Sequence, residues 1–407
     1  MEAKHSLGQP RLLISRSALL HNARFVRKLV GERVRICGTV KADAYGHGSD
    51  VVADALANFS DDSGKPAIDG FAVATIEEAA ELPSSPLPVS VLRPVENVYL
   101  GRQRSGIELA IQSGWTLTIC SLPAVDDVAR IAGSIGKRAH VQVMVDTGMT
   151  RSGIRPSEVD EILRRIETRP SLRLVAICSH FASSEIADHP FTQQQLEWFK
   201  DATDDYAEFH QGKMLRHIAN SGGVFFTPQS HLDMVRPGIS LLGIDPTGKP
   251  NTDRPLRPAL KWAAPLVAIH DIKRGRTVGY NQTWIAPKDT RIGVVPVGYA
   301  DGYSREFGDR AVMTFNGRQL PVVGRVSMDF TTVDLSAAPN AVVGDELTVL
   351  DNNPIAPNSV YRLAEIAGTI PYEVFCRIGQ RVTRVGVEPE DPVGEAASTP
   401  SMKLRVS

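Results

Sequence analysis

Short apolar segments alternate with amphipathic segments between about Arg35 and Gly243. The apolar runs have the length and β-branched content of buried strands. Eight such strands are predicted, at Arg35–Val40, Gly70–Ala74, Val89–Leu92, Thr116–Cys120, His140–Val145, Leu174–His180, Leu215–Asn220 and Met234–Leu242. The intervening segments predict helices, for example at Asp50–Asn58, Ile76–Leu82, Pro123–Ile135, Pro156–Glu167 and Thr192–Phe209. Eight strands alternating with helices indicate an α/β fold, an N-terminal (β/α)8 TIM barrel.

Several of these helices begin with residues that favour a helix start. Thr75 precedes Ile76, and Ser121 precedes Leu122 and Pro123, so both are predicted N-caps. Thr192 and Gln195 have the spacing of a capping box and predict the start of the longest of these helices. A doubly wound open sheet is the alternative to the barrel, but the chain lacks the GxGxxG turn that such a sheet needs to bind a dinucleotide.

The pattern changes after Gly243. Residues 245–258 contain four prolines and predict a linker, and a mostly-β C-terminal domain should follow. Its predicted strands include Leu266–Ile269, Ile292–Pro296, Ala311–Phe315, Leu320–Val323 and Glu346–Leu350, with a hairpin turn at Asn316-Gly317 and one short helix near Tyr361–Ala367. We expect residues 16–250 to form the barrel, residues 251–387 the β-domain, and the polar residues 388–407 a disordered tail.

Composition argues against a nucleic-acid-binding, membrane or secreted protein. The chain has 407 residues with 45 Lys plus Arg and 46 Asp plus Glu, so it has no charge excess for nucleic acid or a membrane surface. It also has no apolar run of membrane-spanning length, and no signal-peptide pattern opens it. Four scattered cysteines predict a reduced, cytoplasmic protein without a metal site, in which Cys37, Cys120 and Cys178 are buried strand residues.

Functional side chains of a barrel lie just beyond the C-terminal ends of its strands. Lys41 follows the first predicted strand, His180 ends the sixth, and Arg236 lies on the eighth. A desolvated lysine beside a cation becomes a nucleophile towards aldehydes, although a lysine here could equally begin an exposed loop. The glycine-containing turns after strands seven and eight can cradle a phosphate. Together these features predict a phosphorylated aldehyde cofactor.

The residues around these positions resemble those of bacterial alanine racemase. The segment Val40-Lys41-Ala42-Asp43-Ala44-Tyr45-Gly46-His47-Gly48 is similar to that family's cofactor-lysine motif. Further matches follow in the family's order over about residues 8–387, at Asp146–Arg151, His180–Ala182, Ala219–Ser221, Arg236–Gly243, Gly279–Tyr280, Val297–Arg305, Gly324–Asp329 and Pro371–Glu373. The resemblance implies an isomerase that interconverts L- and D-alanine and supplies D-alanine for peptidoglycan. A broader-specificity or serine-type racemase of the same fold is the alternative.

The resemblance also implies a cofactor, an assembly and site residues. Pyridoxal 5'-phosphate would be held by Lys41, Tyr45, His180, Asn220, Ser221, Arg236, Gly238, Ile239 and Tyr372. The family is a head-to-tail homodimer with shared active sites, and strand Arg11–Ser15 would pair with the β-domain. Lys41 and the partner's Tyr280 would be the catalytic bases. Arg151 and Met328 would bind the substrate, and the entryway would contain Glu185, Tyr299, Arg305 and Arg325.

Two opposed bases suit racemisation, because the α-proton leaves one face of the substrate carbon and returns on the other. The resemblance implies that Arg236 would face the pyridine nitrogen. A related decarboxylase would place a carboxylate there, so Arg236 favours a racemase. A cofactor-binding protein without catalytic activity would lack the half that contains Tyr280. One departure stands out: Met144 occupies the position at which many family members have a lysine that becomes carbamylated and orients the arginine corresponding to Arg151. Methionine cannot form that carbamate.

Overall fold

The computed structural model describes residues 8–58, 66–95, 97–206, 214–250 and 253–388, so the predicted tail lies almost entirely outside the described residues. Its first nine strands are β1 (Arg11–Ser15), β2 (Arg35–Thr39), β3 (Gly70–Val73), β4 (Val89–Val95), β5 (Thr116–Ile119), β6 (Ala139–Met144), β7 (Leu172–Cys178), β8 (Leu215–His217) and β9 (Met234–Val235). Strands β2 to β9 form one parallel sheet in the order β8-β7-β6-β5-β4-β3-β2-β9.

The two ends of this sheet meet, which gives the predicted barrel. The backbone N–H of Asp233 donates to Arg216 O at 3.2 Å, and that of Arg236 donates to Ala219 O at 2.8 Å, so β8 and β9 lie side by side. Helices at Arg16–Val30, Ser49–Asn58, Ile76–Glu81, Asn97–Gln112, Leu122–Ser134, Val159–Glu167 and Pro190–Asp201 accompany the strands, with a short helix at Ser221–Phe226. This confirms the predicted fold class.

Local signals placed two helix starts correctly and one wrongly. Thr75 and Ser121 cap their helices as predicted. The predicted helix Thr192–Phe209 instead spans Pro190–Asp201, with His189 as its N-cap. Proline at the first helical position fixes the start there, because its φ is already helical and its missing N–H is not needed. Thr192 and Gln195 therefore form no capping box, and both are buried inside the helix.

The last two barrel strands are shorter than predicted. β8 ends at His217 and β9 at Val235, and the chain then bends across the rim of the barrel. Asn220 caps the short helix Ser221–Phe226 by accepting a hydrogen bond from the backbone N–H of Gly223. The apolar runs that predicted longer strands continue into these rim segments because the rim is buried as well.

The β-domain contains the remaining strands β10 (Leu260–Pro265), β11 (Ala268–Ile272), β12 (Thr277–Val278), β13 (Trp284–Ile285), β14 (Thr290–Val295), β15 (Val312–Phe315), β16 (Arg318–Pro321), β17 (Thr331–Asp334), β18 (Glu346–Leu350) and β19 (Thr383–Val387). The hairpin at Asn316-Gly317 is confirmed between β15 and β16, with positive φ at both turn residues. The predicted strand Leu266–Ile269 is confirmed only at Ala268 and Ile269, which begin β11; Leu266 and Val267 connect β10 to β11. The prediction of one short helix is also wrong, because helices lie at both Val360–Ala367 and Pro371–Cys376.

The first strand of the chain, β1, belongs to the main sheet of the β-domain and not to the barrel. β1 pairs antiparallel with β10 and parallel with β19, within a sheet of order β16-β15-β18-β10-β1-β19. The apolar side chains of both units pack into one continuous core. Cys37 and Cys178 are buried in strands as expected, whereas Cys120 follows β5 and is only half-buried. Among the described residues, no helix has the length and hydropathy needed to span a bilayer.

Candidate active site

A cavity of about 160 Å³ opens at the C-terminal ends of the barrel strands. All nine residues that the family resemblance assigns to the cofactor line it. The lining comprises Thr39, Lys41, Tyr45, Leu92, His180, Asn220, Ser221, Arg236, Gly238, Ile239 and Tyr372. The parallel strands bring these distant positions together because all of them end at the same rim.

Lys41 stands at the start of a left-handed turn. Ala42, Asp43, Ala44 and Tyr45 have φ values of 52°, 54°, 49° and 54°, a conformation that costs non-glycine residues about 1–2 kcal/mol each. Glu78 supports the turn by accepting hydrogen bonds from the backbone N–H groups of Ala42 at 3.0 Å and Ala74 at 2.6 Å. Burial lowers the pKa of Lys41, and the charge of Arg151 lowers it further. Both effects raise the deprotonated fraction of this amine relative to an ordinary lysine.

Arg236 is the buried cation of the cavity, 5 % exposed. Its guanidinium donates to Ser179 O at 2.6 Å, to the His180 Nδ1 at 3.4 Å and to the His217 Nδ1. A guanidinium has no acceptor, so both imidazoles accept through Nδ1 and, when neutral, have their proton on Nε2. Burial, followed by the charge of Arg236, lowers the pKa of His180 to about 3 and the pKa of His217 well below its usual range. Both rings are therefore neutral.

A chain of hydrogen bonds continues from Arg236 into the barrel interior. The His217 Nε2 lies 3.2 Å from the Gln142 Oε1, and the Gln142 Nε2 donates to the Thr118 Oγ1 at 2.7 Å. The Thr118 hydroxyl in turn donates to Val91 O at 2.6 Å. Every donor along this chain points away from Arg236, which fixes the His217 tautomer. All three side chains are at most 1 % exposed, so the bonds are made without competition from water.

The opposite end of the cavity is a cradle of backbone and hydroxyl groups. The Ser221 Oγ accepts from the backbone N–H of Gly238 at 3.0 Å and lies 3.0 Å from the Ser240 Oγ. A Cβ on Gly238 would lie 2.4 Å from the Tyr45 hydroxyl, so only glycine admits that hydroxyl. The rings of Tyr45 and Tyr372 pack edge to face at 6.0 Å. The cradle thus offers several hydrogen-bond donors to an anion.

Arg151 lies beside the cavity, next to a second hollow of about 10 Å³. Met144, Asp146 and His180 are among the residues that line this hollow. The Met144 sulfur is 3.8 Å from the Cys178 thiol, and its side chain is almost completely buried. Arg151 itself is exposed. The methionine therefore packs into the barrel and leaves the guanidinium to water.

Most of the other predicted residues are exposed on the β-domain; Arg325 is half-buried there, and Glu185 lies in the barrel after β7. Tyr280 is 68 % exposed, Met328 53 % and Tyr299 45 %. The segment 324–328 connects them: the backbone N–H of Tyr299 donates to Ser327 O at 3.0 Å, and a Cβ on Gly279 would lie 3.2 Å from the Arg325 nitrogen. Arg305 and Glu185 are also exposed. None of these residues lines the Lys41 cavity within one chain.

The sequence interpretation missed several residues that shape the site. Gln195 donates to His180 O at 3.2 Å and accepts from the Ala182 N–H at 2.9 Å, so it holds the loop that positions His180. Its spacing from Thr192 predicts a capping box, which conceals this role. Gln142 and His217 are polar residues within apolar strands, and that contrast is the signal that could have identified them.

Comparisons with known proteins agree with this geometry. The family models for the alanine racemase N-terminal and C-terminal domains match residues 14–246 and 259–386. The alanine racemase of Chlorobaculum tepidum is 36% identical over 378 residues, which cover 92% of this chain and 94% of that protein. Among solved structures, alanine racemase of Clostridium difficile 630 superimposes with a TM-score of 0.84 at 31% identity, covering 94% of this chain and 96% of the other.

A second solved structure adds a cofactor to the comparison. Alanine racemase from Bartonella henselae, with covalently bound pyridoxal phosphate, matches with a TM-score of 0.75 at 28% identity, over 93% of this chain and 99% of the other. The two domain models together span nearly the whole described chain in the family's order. The chain is therefore a member of the alanine racemase family.

Proposed function

We propose that this protein interconverts L- and D-alanine and that it holds pyridoxal 5'-phosphate on Lys41. The observation that carries the proposal is the convergence in one cavity of a lysine with a lowered pKa, a buried arginine and an anion cradle. A role in supplying D-alanine for peptidoglycan, in the cytoplasm, belongs to the same proposal. The free thiols of Cys37 and Cys178 suit a reducing compartment.

The residues present fit that cofactor. Its phosphate needs hydrogen-bond donors at one end of the cavity, and the Tyr45 hydroxyl reaches this end only because residue 238 has no Cβ. Its aldehyde needs an uncharged amine, and burial disfavours the charged form of Lys41. When bound, pyridoxal phosphate supplies the electron sink that makes an amino acid's α-proton removable.

Lys41 would accept and return that proton at its Nζ on one face of the substrate. Because its pKa is lowered, a larger fraction of the amine is free near neutral pH than for an ordinary lysine. Arg236 would face the pyridine nitrogen and stay protonated, since guanidinium does not lose its proton at working pH. It can donate a hydrogen bond to that nitrogen but cannot protonate it, which disfavours reaction at the wrong carbon.

The second base would be Tyr280 of a second copy of this chain. Its exposure of 68 % in one chain leaves the phenol free to enter another subunit's cavity. Neutral His180 has its Nε2–H available there, because its Nδ1 already accepts from Arg236. A hydrogen bond from this group would stabilise a tyrosine phenolate without adding a positive charge. We therefore propose a head-to-tail homodimer with shared sites.

Substrate binding is assigned to residues at the rim and on the same partner surface. Arg151, exposed beside the Lys41 cavity, would bind the alanine carboxylate together with the backbone N–H of Met328. Glu185, Tyr299, Arg305 and Arg325 would form the entryway. We place the domain boundary between residues 250 and 251. The barrel would then contribute the cofactor cavity, and the β-domain would contribute the surface that enters the partner's site.

One experiment tests the proposal. The purified protein is incubated with each common L-amino acid, and formation of the D-enantiomer is measured together with the visible absorbance of the cofactor. We expect racemisation of alanine and borohydride fixation of the cofactor to the peptide that contains Lys41. Lys41→Ala should abolish both, whereas Lys273→Ala, which removes an exposed lysine paired with Asp289, should change neither. Label on another lysine, or faster racemisation of a larger amino acid, would contradict the assignment.

A further inference from the structure

The left-handed turn after Lys41 needs support from outside itself. Internal bonds close it: the backbone N–H of Ala44 donates to Val40 O at 2.9 Å, and that of Gly48 donates to Asp43 O at 3.0 Å. Four consecutive non-glycine residues in this region nevertheless remain unfavourable by several kcal/mol in sum, at about 1–2 kcal/mol each. Such a conformation persists only where the surroundings impose it. Glu78 holds the start of the turn through the backbone N–H of Ala42, and the end of the turn needs a contact of its own.

Arg384 of β19 lies at the end of the turn, and its side chain is 10% exposed. Its Nε and Nη2 donate to Gly46 O at 3.2 and 3.1 Å. Its remaining bonds go to the carbonyls of Gly379 at 2.7 Å, Val382 at 2.7 Å and Ile378 at 2.9 Å. Five N–H groups are thus matched by five bonds to backbone carbonyls, which a guanidinium can provide and a lysine ammonium cannot.

The turn also packs directly on the β-domain around Arg384. A Cβ on Gly46 would lie 2.2 Å from Phe375 O, so the two backbones touch. The His47 ring packs edge to face on the Phe375 ring at 4.7 Å. The Asp43 carboxylate is 3.7 Å from the Arg384 guanidinium, so charge attraction adds to the hydrogen bonds. The contact surface therefore matches the turn in shape, charge and hydrogen bonding.

We infer that Arg384 is a positioning residue that holds the left-handed turn, and with it Lys41 and Tyr45, from the β-domain. The guanidinium ties Gly46 O to the three carbonyls of the segment 378–382, so the turn is fixed to the connection between the helix Pro371–Cys376 and β19. The β-domain thus shapes the barrel's own lysine within the same chain. The consequence for catalysis rests on the proposed role of Lys41, whereas the clamp itself does not.

A simpler alternative is that Arg384 stabilises only its own loop, since three of its bonds go to segment 378–382. Amide hydrogen exchange of the full-length protein separates the two roles, measured with and without added pyridoxal phosphate. Arg384→Lys retains the charge near Asp43 but loses the fork of donors. Arg362→Lys is the matched control, because Arg362 lies in the same domain, is exposed, and pairs with Glu365 on its own helix.

We expect the amides of residues 42–49 to exchange about tenfold faster in Arg384→Lys, the effect of losing a hydrogen bond from a charged donor. The amides of β15 and β16, which are remote from the clamp, should be unchanged, and Arg362→Lys should match the parent protein throughout. In the loaded enzyme, kcat for alanine should fall while KM changes by less than about twofold, because a displaced Lys41 impairs proton transfer rather than substrate binding.

Unchanged exchange at residues 42–49 would overturn the inference. Faster exchange spread equally over the β-domain would also overturn it, because that pattern is expected if Arg384 only stabilises its own domain. A partly folded variant would give the same uniform pattern and would count against the inference in the same way. A protein that shows the local exchange effect but never racemises alanine would reject the proposed function and leave the clamp standing.

Discussion

The barrel cavity and the β-domain surface differ in how complete they are within one chain. The cavity residues come from β4, from the ends of β2, β7, β8 and β9, and from the helix Pro371–Cys376. Arg236 among them donates hydrogen bonds to Ser179 O at 2.6 Å and to the His180 Nδ1 at 3.4 Å. The β-domain surface instead exposes Tyr280, Tyr299 and Met328, and none of the three lines the Lys41 cavity of its own chain. One chain therefore forms the whole of the proposed cofactor cavity, whereas the proposed second base lies outside that cavity. In the homodimer that we propose, assembly rather than folding would complete the catalytic site.

The largest expected effect comes from removing the proposed base on the β-domain surface while leaving the barrel cavity intact. Tyr280→Phe removes only the phenolic oxygen and should lower racemisation by about 10²- to 10⁴-fold, the usual contribution of a general base. Cofactor absorbance should remain, since Tyr280 does not line the cavity. Near-normal turnover in this variant would exclude Tyr280 as a base.

Mixing Tyr280→Phe with the inactive Lys41→Ala variant sharpens the same comparison. In a mixed head-to-tail dimer, one site combines the intact Lys41 with the intact Tyr280. Random exchange of subunits should then restore up to about a quarter of parental activity, because half of the dimers are mixed and each has one competent site. Restoration is measured after confirming mixed dimers by mass. Mixed dimers without activity would show that sites are not shared.

The buried polar chain behind Arg236 predicts a smaller effect, on stability. Gln142→Leu leaves the His217 Nε2–H without an acceptor and the Thr118 hydroxyl without a donor. We expect the free energy of unfolding to fall by about 1–3 kcal/mol, the penalty for an unsatisfied buried polar group. The ¹⁵N spectrum of His217 should report the lost hydrogen bond at Nε2–H, while Arg236 still fixes the tautomer by donating to Nδ1. Gln112→Leu, at an exposed helix end, is the control and should be nearly neutral.

These residues also show where sequence reasoning stops. Thr75 and Ser121 were predicted correctly because a cap depends on two or three neighbouring residues. Gln195 was misinterpreted because the same spacing occurs inside a helix that Pro190 starts earlier. The partners of Gln142 are 24 and 75 residues away, and no local pattern encodes them.

The two candidate regions also differ in how far the sequence alone predicts them. Strand-end position was enough to predict a rim cavity around Lys41, His180 and Arg236, because parallel strands in a barrel share one rim. The placement of Tyr280 depends on a second chain, which neither periodicity nor spacing describes. The roles of both regions came from the family resemblance, and the site assignments stay predictions until the variants are measured.

Buried histidines should make the free energy of unfolding depend on pH. Burial lowers the pKa of His180 to about 3 and that of His47 to about 4, against 6.5 in an unfolded chain. As pH falls below about 6.5 the unfolded chain binds protons that the folded chain does not, so stability is lost progressively down to about pH 3–4. The slope reaches at most about 1.4 kcal/mol per pH unit for each histidine. Urea unfolding at a series of pH values measures it, and a flat profile between pH 6.5 and 4 would contradict neutral buried rings.

The smallest expected effect concerns Met144, where we predict no response to bicarbonate at all. The lysine carbamate of many family members would be an anion beside the arginine, but here an apolar side chain packs against Cys178 and Arg151 is left exposed to water. The adjoining hollow of about 10 Å³ has space for about one water molecule and not for a carbamate. Turnover in carbon-dioxide-free buffer should therefore equal turnover with added bicarbonate. Met144→Lys should lose stability without gaining bicarbonate dependence, because a buried ammonium lacks a partner and the hollow cannot accept its carbamate. Activity that disappears when bicarbonate is stripped, or a carbamate on another lysine beside Arg151, would show that the guanidinium needs an anion after all.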